Sequence, residues 1–208
     1  MVIKVDLKDL ETLALAKKIP IMQKEGLSFM IDRLNESQAS SLLEIGSAVG
    51  YSALMMASNV EGLKIDSIEL DASRYAEACQ HVEAYQKADQ IALHLGDALT
   101  YPLEKLAYAP YDCLFIDAAK AQYQRFFERY IDLVKPEGFV IVDNLDFHGM
   151  VNDIEHIHNR NTRALVRKIK RFKDWILHHE AYDSIYYPVG DGIVMIRKKE
   201  QHEVNDKY

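Results

Sequence analysis

Two apolar stretches of the sequence end in polar side chains of the kind that bind metal ions. The stretch DCLFIDAAK, residues 112–120, ends with Asp117 and Lys120, and FVIVDN, residues 139–144, ends with Asp143 and Asn144. If both stretches are neighbouring strands, their polar ends meet at one edge of a sheet. Carboxylate and amide oxygens without sulfur or imidazole suit a hard cation, and we expect Mg²⁺. Asp and Asn are also common in turns and helix caps, which is the alternative for Asp117 taken alone.

A glycine-containing turn farther upstream is typical of a nucleoside site. The stretch LLEIGSAVGYSA, residues 42–53, is an apolar strand that leads through Gly46 and Gly50 into a helix. Glycines let a ligand approach the backbone, and a helix start offers free N–H donors. Glu69 ends the next apolar run, about twenty residues on, where an acidic side chain typically accepts hydrogen bonds from ribose hydroxyls. Asp97, just after the following run, completes the predicted nucleoside pocket.

The spacing of these glycines favours a sulfonium cofactor over a dinucleotide. Only Gly46 and Gly50 are present, so the third glycine of the G-x-G-x-x-G pattern that binds a pyrophosphate is missing. Glu44 adds a negative charge that would repel a pyrophosphate and attract a sulfonium or ammonium group. We therefore predict S-adenosylmethionine as the cofactor. A turn that only joins a strand to a helix is the alternative, and the acidic residues at the next two strand ends argue against it.

The surrounding sequence predicts the elements that position these residues. Short apolar runs alternate with helical stretches, which implies right-handed crossovers and an α/β, Rossmann-like, doubly wound, mostly parallel sheet. The turn PVGDG between two late apolar runs predicts an antiparallel C-terminal hairpin. Residues 1–35 form a helical N-terminal extension with helices at 6–18 and 23–34, and residues 199–208 form a polar tail. The seven predicted strands are residues 42–45, 65–68, 91–95, 113–116, 139–142, 184–187 and 193–196, and the helices between them include 52–58, 73–86 and 123–134.

The composition indicates one domain in a reducing, aqueous compartment. The chain has 208 residues, 49% of them hydrophobic, so we expect a single domain that spans residues 1–208. Cys79 and Cys113 are too few for a disulfide framework or a zinc cluster. No apolar run approaches membrane-spanning length, and the polar start does not resemble a signal peptide. We therefore expect a cytoplasmic protein without a membrane partner.

One segment is strongly basic although the chain as a whole carries a net charge of −7. Seven basic residues and no acidic one lie between Arg160 and Lys173. Four of them recur at spacings of three or four residues, namely Arg160, Arg163, Arg167 and Arg171, which predicts one basic stripe along a helix, suited to an RNA backbone. A solvated helix face explains the same pattern, and the residues alone leave both interpretations open. The candidate RNA-binding residues are Arg160, Arg163, Arg167, Lys170 and Arg171.

Several motifs together resemble one enzyme family. The stretches LLEIGSAVGYSA, IELD, GDAL, FIDAAKAQYQRFF, VDN and PVGDG occur in the order found in the cation-dependent O-methyltransferases of the catechol and caffeoyl-coenzyme A type. Among these, the chain is most similar to the members that methylate 5-hydroxyuridine in bacterial tRNA, because it shares the PIMQKEG-like segment and the DAAKAQYQ run. Lys173 departs from the Phe-Asn pair of many members that act on small molecules.

The resemblance assigns a role to each candidate residue. It implies that Asp117, Asp143 and Asn144 bind the metal and that Lys120, beside Asp117, assists deprotonation of the substrate. A solvated surface lysine is the alternative for Lys120. The resemblance also implies a homodimer, with Met22 near the sulfonium end of the cofactor. The full predicted cofactor pocket comprises Met22, Glu44, Gly46, Tyr51, Ser52, Glu69, Asp97, Ala98 and Asp117.

These expectations combine into one functional hypothesis. We expect an S-adenosylmethionine- and Mg²⁺-dependent O-methyltransferase that converts 5-hydroxyuridine to 5-methoxyuridine at the wobble position of tRNA. A hydroxyl next to a second oxygen can chelate a metal, which lowers the hydroxyl pKa and orients it toward the methyl group. A catechol-like phenol presents the same pair of oxygens and is the alternative substrate. A nicotinamide-dependent dehydrogenase and a non-catalytic RNA-binding module are alternatives of other classes.

Overall fold

A seven-stranded mixed sheet is the centre of the fold. The computed structural model describes residues 7–199, and its strand order is β3-β2-β1-β4-β5-β7-β6. The first five strands are parallel, and β7 is antiparallel to both β5 and β6. This confirms the predicted doubly wound fold with its C-terminal hairpin. The strands are β1 (Ser41–Ile45), β2 (Lys64–Glu69), β3 (Ile91–Leu95), β4 (Tyr111–Ile116), β5 (Val134–Val142), β6 (Tyr182–Tyr187) and β7 (Ile193–Lys198).

In the described residues 7–199, six α-helices cover the two faces of the sheet. The helices pack on the sheet through two apolar cores, one on each face. The central parallel strands are therefore buried on both sides. No helix among residues 7–199 is long and apolar enough to cross a membrane. The helices are α1 (Lys8–Ala16), α2 (Lys24–Glu36), α3 (Tyr51–Asn59), α4 (Ala72–Ala84), α5 (Tyr123–Tyr130) and α6 (Arg160–Leu177).

The N-terminal helices are part of the packed structure. In α2 the buried residues Leu27, Ile31 and Leu34 recur with helical spacing, so one face of the helix is apolar. These residues belong to the core that also contains β1 and α3. Of the predicted polar tail, residue 199 is described and residues 200–208 lie outside the described part of the chain.

The largest differences from the predicted boundaries lie at the end of α5 and the start of β5. The helix predicted at residues 123–134 ends at Tyr130, a short 3-10 turn follows at Ile131–Leu133, and β5 begins at Val134 rather than at residue 139. Pro136 and Gly138 lie inside this strand and disguise its start in the sequence. The pairing of β4 with β5 shifts register between Tyr111 and Cys113, which accommodates the irregular stretch.

Strand register brings the predicted metal ligands together. Ile116, the last residue of β4, pairs with Val142, the last residue of β5. The next residues, Asp117 and Asp143, therefore leave two adjacent strands at the same edge. On the other side of β4, Ile45 pairs with Ile116, which brings the turn that follows β1 to the same place.

Candidate active site

A cavity of about 740 Å³ opens at the carboxyl ends of the parallel strands. It lies where the strand order reverses between β1 and β4, the usual ligand site of a doubly wound sheet. Most of the predicted cofactor, catalytic and metal residues meet here, but Glu44 and Asp143 do not line the cavity. The predicted residues that line it are Met22, Gly46, Tyr51, Ser52, Glu69, Asp97, Ala98, Asp117, Lys120 and Asn144.

The turn after β1 packs directly on the turn after β4. Gly46 has φ +103°, and a Cβ atom at this position would lie 2.2 Å from the carbonyl oxygen of Asp117. The Asp117 amide donates to the carbonyl of Ile45 at 3.0 Å, which holds the two turns together. Only glycine fits this contact. The predicted cofactor turn and the predicted metal site are therefore mechanically joined.

Glu69 fixes the shape of the glycine turn. Its Oε2 accepts from the Ala48 amide at 2.7 Å, and its Oε1 accepts from the Asp71 amide at 2.8 Å. Ala48 has a left-handed φ of 45°, so this hydrogen bond supports a conformation that alanine rarely adopts. The carboxylate lies in the cavity wall and keeps lone pairs for further donors. Asp97, by contrast, is exposed on the turn after β3.

The structure corrects the predicted position of Glu44. This residue was expected in the cofactor pocket, but its side chain is fully buried and does not line the cavity. The hydroxyls of Ser52 and Ser67 donate to its two carboxylate oxygens. Burial raises the pKa of Glu44 to about 7, and the two hydroxyls oppose that rise. Glu44 thus supports the turn from behind, because both faces of β1 are covered.

Asp117, Asp143 and Asn144 form a compact group, of which Asp117 and Asn144 line the cavity and the buried Asp143 does not. The Asn144 Nδ2 donates to Asp117 Oδ1 at 2.9 Å and to Asp143 Oδ2 at 3.2 Å. Asp143 is 3% exposed, and its Oδ1 has no hydrogen-bond partner among the described residues. Burial raises the pKa of Asp143 to about 7, with a further contribution from the charge of Asp117. Burial also raises the pKa of Asp117, whereas the nearby Lys120 lowers it.

This group fits a hard cation by its donor chemistry. Two partly desolvated carboxylates close together need a positive charge, and Asp143 offers an oxygen that no protein donor satisfies. No cluster of three or more His, Cys, Asp or Glu side chains suited to a metal occurs in the described range 7–199. A cation here would therefore rely on two carboxylates and one amide, leaving positions for water or substrate oxygens.

Lys120 places a primary amine beside this group. Its Nζ lies 4.0 Å from Asp117 Oδ1 and 6.0 Å from the centroid of the Phe147 ring. The side chain is 22% exposed, so it reaches the cavity without projecting into bulk solvent. Lys120 begins the 3-10 turn Lys120–Gln122 directly after Asp117, which explains why the two groups are close.

Sequence reasoning missed Asp191 as a part of this region and left open whether Asp146 extends the acidic rim or faces water. Asp191 lies in the PVGDG turn, which was interpreted only as a hairpin, but it is 6% exposed and its charge raises the pKa of both Asp117 and Asp143. The Asp146 amide donates to the Asp191 carbonyl at 2.8 Å, so the hairpin braces the loop that follows Asn144. The sequence signal that could have revealed Asp191 is its position between two glycines in the PVGDG motif.

The predicted basic stripe lies outside the main cavity. Arg160, Arg167, Lys170 and Arg171 are exposed on α6, and Arg163 is half-buried. The opposite side of the helix carries its buried apolar residues, and from α6 the cavity wall receives Leu165. The structure therefore confirms a basic helix face but does not place these five residues at the reacting centre.

The family assignment agrees with this geometry. The family model described as O-methyltransferase matches residues 4–199, nearly the whole chain. The protein is a member of the O-methyltransferase family. A caffeoyl-CoA O-methyltransferase of Stellaria longipes is 29% identical to this O-methyltransferase over 182 residues, which are 83% of this chain and 72% of the plant enzyme.

Solved structures of similar proteins share the fold. A Staphylococcus aureus protein proposed to be a caffeoyl-CoA O-methyltransferase superposes with a TM-score of 0.89 at 31% identity, covering 94% of this chain and 93% of its own. An O-methyltransferase of Bacillus cereus, solved in complex with S-adenosylhomocysteine (SAH), superposes with a TM-score of 0.79 at 24% identity, covering 96% and 94%. This O-methyltransferase therefore has the same seven-stranded architecture as both.

Proposed function

We propose that this O-methyltransferase uses S-adenosylmethionine and a divalent cation, Mg²⁺ in the first instance, to methylate 5-hydroxyuridine at the wobble position of tRNA. The observation that carries the proposal is the shared wall of the cavity. Asp117 contacts the glycine turn on one side and the Asn144 amide on the other. A nucleoside cofactor and a metal-binding group would therefore meet at the same residue, the turn through its backbone and the metal group through its carboxylate.

The cofactor part of the proposal rests on the residues around the glycine turn. S-adenosylmethionine supplies a methyl group on a positively charged sulfur. Glu69 lies 2.7 Å from the Ala48 amide and faces the cavity, so it is placed to accept the ribose hydroxyls. Gly46 allows close backbone approach, and Met22 together with Tyr51 supplies apolar wall. The wall carries four carboxylates against two basic side chains, which favours a cationic cofactor over a pyrophosphate; the carboxylates are Glu69, Asp71, Asp97 and Asp117, and the basic side chains are Arg74 and Lys120.

The metal part rests on the buried carboxylates. A divalent cation acts as a Lewis acid that lowers the pKa of a hydroxyl. Asp117, Asp143 and Asn144 would hold it, and the unpartnered Oδ1 of Asp143 would gain a partner. The Lys120 amine, 4.0 Å from Asp117, is placed to accept the hydroxyl proton or to stabilise the resulting oxyanion. Phe147, whose ring faces Lys120, would help to exclude water from this end of the cavity.

The substrate part rests on charge and on the chemistry of the acceptor. In 5-hydroxyuridine the 5-hydroxyl and the 4-carbonyl lie on adjacent carbons, so both oxygens can face the Asp117–Asn144 wall. Exposed arginines and lysines on α6 offer cations for an RNA backbone although the chain carries a net charge of −7. An unpaired base of an anticodon loop can be turned into a pocket, whereas a paired base cannot. A cytoplasmic homodimer remains our proposal for location and assembly.

A small catechol-like phenol is the second candidate substrate. It presents the same pair of oxygens, and it belongs to the substrate range of the family that the motifs resemble. Membership of the O-methyltransferase family argues against a nicotinamide dehydrogenase and against a non-catalytic RNA-binding module.

The decisive experiment compares acceptors directly. Purified protein is incubated with labelled S-adenosylmethionine, Mg²⁺ and tRNA that contains 5-hydroxyuridine, and in parallel with catechol and caffeoyl-CoA. We expect 5-methoxyuridine in the nucleoside mass spectrum, its loss with EDTA, and its loss in Asp143→Asn. Because Lys120→Met keeps the length of the side chain but removes the amine, it should lower turnover without weakening cofactor binding. Methylated catechol with unmodified tRNA would refute the tRNA proposal.

A further inference from the structure

A second cavity lies next to the active site and is lined by cationic side chains. Its volume is about 270 Å³, and it forms where the 3-10 turn after Asp117 and the start of α5 face α6. Lys120 lines both this cavity and the main one, so the two are adjacent at the proposed proton acceptor. The buried rings of Tyr123 and Phe172, with centroids 5.6 Å apart, form its floor.

The charges in this second cavity are not balanced by the protein. Lys120, Arg125, Lys168 and Arg171 line it, against one carboxylate, Glu128. Arg125, Lys168 and Arg171 are exposed, and within residues 7–199 none of the three forms an ion pair. The Arg125 Nη1 donates to the Gln122 amide oxygen at 3.1 Å, and Glu128 Oε1 accepts from Gln124 at 2.8 Å. Four basic side chains against one carboxylate give this cavity an excess of positive charge, which makes it a site for an anion.

The position of the cavity separates two groups of basic residues on α6. Lys168 and Arg171 lie three residues apart, on the side of the helix that faces α5. Arg167 and Lys170 form the exposed outer face of the helix, Arg163 is half-buried, and none of the three lines either cavity. Arg125 comes from a distant part of the sequence and completes the group. The cations beside the reacting centre are thus a specific subset rather than the whole basic stripe.

We propose that this cavity binds a phosphate group of the substrate. In the tRNA substrate, on which this inference rests, the group is a backbone phosphodiester next to the 5-hydroxyuridine. The phosphate contacts Arg125, Lys168 and Arg171 while the base enters the main cavity past Lys120. The bidentate geometry of arginine suits phosphate oxygens, and the aromatic floor limits the depth to which the group enters. A phosphate held at this point fixes the hydroxyl-bearing nucleotide relative to Asp117.

The test compares substrates with and without phosphate, and it compares a double variant in the cavity with a control variant outside it. The phosphate-bearing substrates are an anticodon stem-loop with 5-hydroxyuridine, and caffeoyl-CoA; the others are free 5-hydroxyuridine and catechol. For the double variant Lys168→Ala, Arg171→Ala we expect KM for the stem-loop to rise at least about tenfold, because charge-assisted hydrogen bonds to the phosphate are lost. The salt dependence of stem-loop binding should flatten by about 0.7 in log–log slope for each lost contact. Lys64→Ala, at the amino end of β2, removes one positive charge and should leave both quantities unchanged.

The substrate arms separate this inference from the proposed function. Equal losses on all four substrates would mean that the variants damage the fold or the reacting centre, which would overturn the inference. If the wild-type enzyme methylates caffeoyl-CoA but no RNA, the tRNA proposal fails. The phosphate site then stands only if the double variant raises KM for caffeoyl-CoA and leaves KM for catechol unchanged. A larger effect of Lys170→Ala than of Arg171→Ala on stem-loop binding would assign the RNA to the outer face and overturn the cavity site. Unchanged binding of the stem-loop by the double variant, measured by fluorescence anisotropy with unmodified RNA, would also overturn it.

Discussion

The contact between Gly46 and Asp117 allows a sharp test of how the two halves of the site are coupled. Replacement of Gly46 by alanine adds one methyl group at a position where a Cβ would lie 2.2 Å from the Asp117 carbonyl oxygen and 2.9 Å from its carbon. Since Cβ atoms do not approach backbone atoms closer than 3.0 Å, the turn after β4 must move. Asp117 is one of the proposed metal ligands, so a substitution in the glycine turn would displace part of the reacting centre.

The magnitude follows from the required movement. To lengthen this contact from 2.2 Å to 3.0 Å, the backbone of Asp117 must move by about 0.8 Å. A misplacement of about 1 Å at a reacting centre can lower turnover by about 100-fold. The positive φ of +103° adds backbone strain of about 1–3 kcal/mol for alanine. We therefore expect Gly46→Ala to lose both stability and most of its turnover.

Gly62→Ala is the matched control. Gly62 also has a positive φ, +72°, but a Cβ there would meet nothing within 4 Å. It should lose about 1–2 kcal/mol of unfolding free energy from backbone strain and keep its turnover. The assays are urea unfolding for stability, calorimetric titration for cofactor binding, and methyl transfer to the preferred acceptor. If Gly46→Ala matches Gly62→Ala in all three, the contact does not couple the turns and the reasoning is wrong.

Three further predictions concern charged residues around the site. Because burial raises the folded-state pKa of Asp143 to about 7, the folded protein retains a proton that the unfolded chain has lost above pH ~4. The free energy of unfolding in EDTA should therefore fall between pH ~4 and ~7, and Asp143→Asn should reduce that fall; equal pH profiles would contradict this. Glu69→Gln turns an amide NH₂ toward a backbone donor, so the cofactor Kd measured by calorimetry should rise at least about tenfold, and a change below about twofold would exclude the ribose role. Lys173→Met leaves Asp146 without its 2.9 Å ion pair and should cost about 2 kcal/mol in urea unfolding, a loss that Asp146→Asn in the same chain should partly restore.

The sequence was sufficient to predict which strand ends form the site but not which side chains reach the cavity. Asp117, Asp143 and Asn144 could be placed at one edge because each follows an apolar run, and parallel strands bring such ends together. The glycine spacing likewise predicted a turn that a ligand can approach. Both inferences depend on local patterns, which is why they agree with the geometry.

Features that depend on two distant elements were not predictable. Glu44 was assigned to the pocket, yet its side chain lies behind the turn, because the hydroxyls of Ser52 and Ser67 converge on it from two other elements. Helical spacing predicted a basic face on α6, but the meeting of Lys168 with Arg125 requires the packing of α5 against α6. Asp191 was missed for the same reason, since a turn motif does not reveal which carboxylates it approaches.

Glu44 and Asp143 show why similar pKa values do not imply similar roles. Burial raises the pKa of each carboxyl to about 7. The oxygens of Glu44 both accept hydrogen bonds from serine hydroxyls, so its environment is complete without a ligand. Asp143 keeps an unpartnered buried oxygen next to a second carboxylate, an arrangement that is costly unless a cation neutralises it. If this distinction holds, Mg²⁺ should raise the unfolding free energy of the wild-type protein at pH 8 and that of Glu44→Gln equally, but should not stabilise Asp143→Asn.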